Sequence, residues 1–182
     1  MRLIVRDDRE VTAAERAACD GLWGRTWPPV PGEAHDPAEE HRAVARVLLV
    51  GADGGLLGAC ELIERTVTVD GAPVAIAGLG GVAVEAAHRG RGLGSRLVRA
   101  AMDAARARGY DFALLFCDAE RRAFYERLGW RLLTGPISAT YFGEERPIGA
   151  DALVMAAPLT PAAERRSPAW AAARLYLGIG QW

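Results

Sequence analysis

A short apolar run, Val82-Ala83-Val84, is followed closely by Arg89-Gly90-Arg91-Gly92-Leu93-Gly94-Ser95 and then by a helix-periodic stretch reaching Arg108. This order reads as a buried strand delivering a glycine-rich turn into the first turn of a helix, where backbone amides lack carbonyl partners. Polar side chains at Arg96, Arg99, Asp103 and Arg106 recur in steps of three and four, while Leu93, Leu97, Ala101, Ala104 and Ala105 form an apolar stripe for packing on a sheet. Gly109 stands where a helix commonly stops. Without a Cβ at Gly90, Gly92 or Gly94, an anionic ligand can approach the main chain, and the helix dipole favours a phosphate there. An ordinary glycine-rich strand-to-helix loop is the other reading of the same residues.

Three phosphate-binding patterns can be compared with this loop. A Walker loop needs a Lys after its last glycine, and all 22 basic residues of this chain are Arg, so that pattern is excluded. The dinucleotide fingerprint wants Gly or Ala where Ser95 sits and an acidic residue about 20 positions on, for which Asp111 and Asp118 are only loosely placed. The third pattern, Arg or Gln, two residues, Gly, one residue, Gly or Ala after a Val-rich strand, is met by Arg89, Gly92 and Gly94. In this the chain resembles the acyl-CoA loop of the GNAT acyltransferase superfamily.

The resemblance continues downstream. Asp111 to Cys117 is apolar after its first residue, as a strand covered on both faces should be, and Asp118 can cap the next helix. That helix carries Ala123-Phe124-Tyr125-Glu126-Arg127-Leu128-Gly129-Trp130, similar to the superfamily's aromatic pair, spacer and Gly-aromatic segment; the likeness spans about Val47 to Leu159. It implies acetyl-CoA as cofactor, with Val82, Ala83, Val84, Arg89, Gly90, Arg91, Gly92, Leu93, Gly94 and Ser95 as its binding residues. It also implies transfer of an acetyl group to a primary amine by direct attack in a ternary complex. Gly80 and Gly81 would ease distortion of the strand that holds the thioester. A catalytically silent acyl-CoA-binding or sensing module is the alternative.

Acyl transfer to an amine needs an uncharged nitrogen, a polarised carbonyl and a stabilised leaving thiolate. The resemblance places Tyr125 near the sulfur as the acid. A phenol near its reference pKa of about 10 is protonated at neutral pH; a purely structural core aromatic is the competing role. Glu61, Glu64 and Glu85 lie on or beside strands that should border the acceptor cleft, and any of them could draw a proton from the amine directly or through water, Glu64 and Glu85 being set beside Tyr125 as catalytic residues; exposed strand carboxylates are often simply solvated. Cys117 reads as a small buried hydrophobe rather than a nucleophile.

A closer resemblance, to aminoglycoside 2′-N-acetyltransferases, rests on Asp53-Gly54, Arg121-Arg122-x-x-Tyr125, Gly135-Pro136, Val154, Pro158, Glu40-His41 and Trp182. It suggests an acceptor site drawing on Asp151 and Trp182. Glu33, Asp36, Glu39 and Glu40 cluster in the loop and helix before the second strand, where acceptor specificity usually resides in the superfamily; a solvated charged face is the other reading of that run. Two positions depart from it: Gly80 and Gly180 stand where that group has a glutamate and an aspartate. Losing two carboxylates weakens the case for a polycationic antibiotic and leaves room for another amine.

Composition narrows the remaining choices. A chain of 182 residues, 51% of them hydrophobic, has material for one domain with a substantial core. Net charge −1 gives no electrostatic case for nucleic acid. Cys19, Cys60 and Cys117, like His35, His41 and His88, lack disulfide or metal-ligand spacing. The charged start from Met1 to Arg9 is unlike a secretory signal and no apolar run is long enough to span a bilayer, so the cytoplasm is expected.

Expected strands run over Arg2–Arg6, Val47–Val50, Leu56–Val69, Val74–Val84 and Asp111–Cys117, with the resemblance running through Leu132 and Leu133 into a last one near Leu153–Ala157. A helix capped by Thr12 reaches about Trp23, and Asp70-Gly71 makes a hairpin turn. Strands followed by strand-helix-strand-helix imply a mixed α/β, three-layer domain of six or seven strands with helices on both faces. Residues 1–159 would form the acyltransferase domain. Residues 160–182 would form a tail whose Trp170, Leu175, Tyr176, Leu177 and Trp182 either seal the acceptor site or bury against a second copy in a homodimer.

Overall fold

The computed structural model describes residues 1–29, 42–149 and 152–180. Its long helices form where the sequence supplies both an apolar stripe and a stop or start signal. Helix α1 (Ala13–Thr26) begins at Thr12, whose side chain accepts from the Glu15 amide while the Glu15 carboxylate accepts from the Thr12 amide. This reciprocal cap satisfies two amides that the helix itself cannot pair. Thr12→Ala should therefore lower stability by about 1 kcal/mol in a urea melt. Helix α2 (Leu93–Ala107) buries Leu93, Leu97, Val98, Ala101, Ala104 and Ala105, the expected stripe with Val98 added. A very short helix α3 (Arg122–Glu126) follows a tight turn capped by Asp118, and α4 (Pro161–Ala172) starts at Thr160 with Pro161 in its first turn.

The strands are β1 (Arg2–Asp7), β2 (Ala43–Val50), β3 (Leu56–Val69), β4 (Ala72–Val84), β5 (Phe112–Cys117), β6 (Arg131–Leu132), β7 (Ile137–Tyr141), β8 (Glu144–Pro147), β9 (Leu153–Pro158) and β10 (Leu175–Ile179). They form one mixed sheet, in the order β6-β9-β5-β4-β3-β10-β7-β8, with β2 also on β3 and β1 on β2. The β3–β4 hairpin turns at Asp70 and Gly71, φ +48° and +86°, the paired left-handed geometry of a tight two-residue turn. Strand residues of one parity, such as Cys60, Leu62, Ala113 and Leu115, pack with α2; those of the other meet α1 (Ala59 with Cys19 and Leu22) or α4 (Phe112 with Trp170). The mixed α/β layering is as expected.

The strand count is not. Among the described residues ten strands replace the expected six or seven, because β6, β7, β8 and β10 are added. β7 and β8 are short, β8 is exposed along its whole length, and β10 follows a helix that contains Pro168, so none carries a strong alternating signal. Three residues of the expected tail bury within this same chain: Leu175 and Leu177 are fully covered, and the Trp170 ring stacks on Phe112 with centroids 3.8 Å apart. No helix among the described residues is long and apolar enough to cross a membrane.

Candidate active site

Two features of β4 create the site. Between the pairs Ala59–Ala83 and Glu61–Gly80, β4 has one residue more than β3, so the strand bulges at Gly81-Val82. Gly81 sits at φ +60°, and its carbonyl accepts a 2.7 Å hydrogen bond from the Trp23 indole Nε1. A side chain there would meet the indole at 2.9 Å, so glycine is required both by conformation and by space. The second feature is a parting of strands. β4 and β5 run parallel but pair only at Ala77–Ala113 and Gly78–Leu114, after which both continue unpaired with each other.

A cleft of ≈ 480 Å³ opens where they part. Gly80, Gly81 and Val82 form its β4 side and Phe116 and Cys117 its β5 side. Trp23 of α1, Trp27 just past its end and Tyr125 of α3 also line it. Tyr125 is 8% exposed, its ring held edge-on between Phe124 at 4.9 Å and Trp130 at 6.0 Å. Its hydroxyl has no hydrogen bond to another described residue. Burial, with Cys117 and Cys60 adding to it, pushes the phenol well above its usual range, so the proton stays on at neutral pH. Burial likewise raises the Cys117 thiol, which keeps it from acting as a thiolate.

The buried carboxylate lining the cleft is Glu61, on β3 opposite Gly80, with the exposed Asp118 also on its wall. Glu64 lies on the other face of the sheet, paired with Arg42 at 3.0 Å and accepting from the Tyr110 hydroxyl at 3.0 Å. Glu85 sits just past β4 and is engaged by Arg25. Neither lines the cleft. The sequence left the face of each β3 residue open because this strand is nearly continuously apolar, so its alternation is muted. Glu33, Asp36, Glu39, Glu40, Asp151 and Trp182 lie outside the described residues.

The glycine-rich turn completes the picture. Gly90 and Gly92 have φ of +73° and +74°, and a Cβ on either would point into open space. Gly92 is the N-cap of α2 without any side-chain cap, and the first helical bond runs from Arg96 N to Gly92 O. The amides of Leu93, Gly94 and Ser95 thus have no carbonyl partner in the helix. Arg89 is turned back, its Nε donating to Val84 O at 2.9 Å, which ties the loop to the end of β4. Unpaired amides, a helix N-terminus and a cradle without side chains fit a diphosphate, and the parted strands beyond fit the thin arm that would follow it.

Residues 8–133 match the family described as Acetyltransferase (GNAT) domain. The chain belongs to the GNAT acetyltransferases. It is 34% identical over 134 residues to the rice (Oryza sativa subsp. japonica) protein named "Probable glucosamine 6-phosphate N-acetyltransferase 2", covering 73% of this chain and 72% of that one. Its fold is similar to that of the GNAT family N-acetyltransferase YhbS of Escherichia coli in complex with CoA. That match has a TM-score of 0.65 and 16% identity, over 97% of this chain and 90% of that one. An aminoglycoside 6′-N-acetyltransferase complexed with coenzyme A matches with a TM-score of 0.60 and 17% identity, over 87% and 98% of the respective chains. Acetyl-CoA is accordingly the cofactor of this GNAT enzyme, and an amine its acceptor. If the diphosphate rests on the 90–95 amides, Gly92→Val should weaken CoA binding about tenfold in calorimetry, because the new side chain occupies the approach and resists a positive φ.

Proposed function

We propose that this GNAT enzyme acetylates the primary amine of a small amino sugar by direct attack in a ternary complex. The observation that carries this is the cleft at the parting of β4 and β5, which brings a protonated phenol, a buried carboxylate and an aromatic wall to one place. Acetyl-CoA, held by the main chain of Val82 to Val84 and the turn from Arg89 to Ser95, supplies an activated acyl carbon and a sulfur leaving group. Everything else falls to the chain. The bulged main chain at Gly81-Val82 presents fixed backbone dipoles to the reacting end of the cleft, with Trp23 holding one peptide in place. Tyr125 keeps a proton at Oη for the departing sulfur. Cys117, its thiol held protonated, supports a route without an acyl-enzyme.

For the acceptor, the charged lining residues among those described are Glu61, Asp118 and Arg121, the last two 4.0 Å apart. Two carboxylates and one guanidinium suit a single ammonium group better than a polycation. Trp23 and the half-exposed Trp27 offer ring faces to the apolar side of a sugar. Two of the similar proteins bear names of enzymes acting on amino sugars or aminoglycosides, which supports the same class.

The test is thiol release from acetyl-CoA with the purified chain over a broad amine panel, with products checked by mass spectrometry. The panel contains glucosamine, glucosamine 6-phosphate, several aminoglycosides and simple aryl- and alkylamines. Amino sugars should be turned over best, and monoamino sugars ahead of aminoglycosides. Turnover confined to aryl- or alkylamines would overturn the sugar assignment.

A further inference from the structure

Gly80 leaves β4 without a side chain on the cleft wall, and the residue paired with it across the β3–β4 ladder is Glu61. A Cβ on Gly80 would come to rest 3.7 Å from Glu61 Oε1, so this carboxylate oxygen already reaches the space that a β4 side chain would begin to fill. Glu61 is 6% exposed. A carboxylate so deeply placed costs several kcal/mol unless a counter-charge stands by it. That charge is Arg46 of β2, itself buried, with its Nη2 3.8 Å from Glu61 Oε2. Arg46 is fixed in turn by Asp8, whose Oδ1 accepts from its Nε at 3.2 Å, and by the Trp23 ring, 5.0 Å beneath its guanidinium. Arg16 closes the chain of alternating charges on the far side of Asp8 at 2.9 Å. Among the described residues, Glu61 Oε2 faces the fixed cation of Arg46, and Oε1 lies toward Gly80 and the cleft.

We propose that Glu61 is the proton acceptor for the attacking amine, a carboxylate supplied by β3 into the space that glycine leaves open on β4. The amine arrives as its ammonium, and Glu61 Oε1 takes one N–H proton; that electron pair stays on nitrogen as the lone pair that forms the new bond with the acyl carbon. Tyr125 gives its hydroxyl proton to the sulfur, which departs with the electrons of the broken C–S bond. The nitrogen, once bonded to carbon, loses its second proton to the phenolate through the cleft, and Glu61 gives its proton to solvent, restoring both groups. Among the described residues, the other titratable or charged groups around Glu61 are Arg46 from β2, Asp8 behind it, Cys19 on α1 and Cys60 on β3, with Asp118 and Arg121 elsewhere on the cleft wall. Of these, Cys19 and Cys60 have thiols pushed up by burial, so neither competes as a base.

This assignment rests on the acetyl-transfer reading but not on the sugar. Glu61→Gln should lower kcat/KM about 50-fold with the best acceptor of the panel, leaving CoA affinity by calorimetry within about twofold. The deficit should shrink for a weakly basic amine that arrives uncharged, which a merely structural role would not produce. The decisive variant is the double change Glu61→Gln with Gly80→Glu, which returns a carboxylate from the neighbouring strand. Gly80 has no positive φ, and its new Cβ needs only a small shift of Ile63 Cδ1, now 3.1 Å away, so the fold can take it. Recovery of at least tenfold over Glu61→Gln supports the proposal. Full activity in Glu61→Gln, or an equal deficit for every amine with no recovery in the double variant, overturns it. If the wild-type chain acetylates only non-sugar amines, the same comparisons made on those amines still decide the role of Glu61.

Discussion

Tyr125→Phe should lower kcat by roughly two to three orders of magnitude while leaving CoA affinity within about threefold. The substitution removes one oxygen and keeps the ring, so the edge contacts with Phe124 and Trp130 remain and the melting temperature should hardly move. What disappears is the proton at the cleft. Because burial holds the phenol above its usual range, the wild-type acid is in its active, protonated form at neutral and mildly alkaline pH. Activity owed to it is lost only as pH rises past that raised value. The rate should therefore show no fall attributable to Tyr125 up to about pH 9. Steady-state kinetics paired with calorimetry on CoA decides the matter. Unchanged kcat, or parallel losses of kcat and CoA affinity, would remove Tyr125 from the chemistry and return it to the core.

Gly135→Ala should be the most damaging change to stability, at roughly 3 kcal/mol or more, with the thermal midpoint falling by roughly 10 °C. A Cβ at Gly135 would stand 2.0 Å from Ala173 O and 2.7 Å from Ala172 C, all backbone atoms that cannot rotate away. Relief would require moving the segment off the end of α4. The hydrogen bonds from Thr134 N at 2.7 Å, Gly135 N at 3.1 Å and Thr134 Oγ1 at 3.0 Å, all to Ala171 O, would then lengthen together. Urea and thermal melts test this, and a loss below about 1 kcal/mol would mean that the packing there is looser than the distances imply.

The elements that the sequence made plain are those whose local signals agree. α2 combined an apolar stripe, a glycine-rich entry and Gly109 at its exit; the β3–β4 hairpin combined two long apolar runs with Asp70-Gly71. The Gly80-Gly81 pair hinted at a distorted strand, but only the register, with its extra residue between Gly80 and Ala83, shows where the distortion falls. The placement of carboxylates was far less legible. Glu61 and Glu64 are three residues apart on one strand and point to opposite faces, one into the cleft and one toward Tyr110. Which parity faces the cleft depends on which helix covers which side, and that is decided by contacts with α1 and α2 far away in the chain. Arg46 was hidden for a similar reason. An arginine between Ala45 and Val47 gives no local sign that a buried glutamate awaits it on the next strand.

The β7–β8 hairpin reaches the rest of the sheet through β10, which pairs with Ile137 and Ser138 on one edge and with Val69 and Thr68 on the other. During synthesis the hairpin emerges from the ribosome before the strand that docks it. The nascent chain can assemble β1 to β5 early, yet it must carry an unanchored hairpin until residue 179 is free of the exit tunnel.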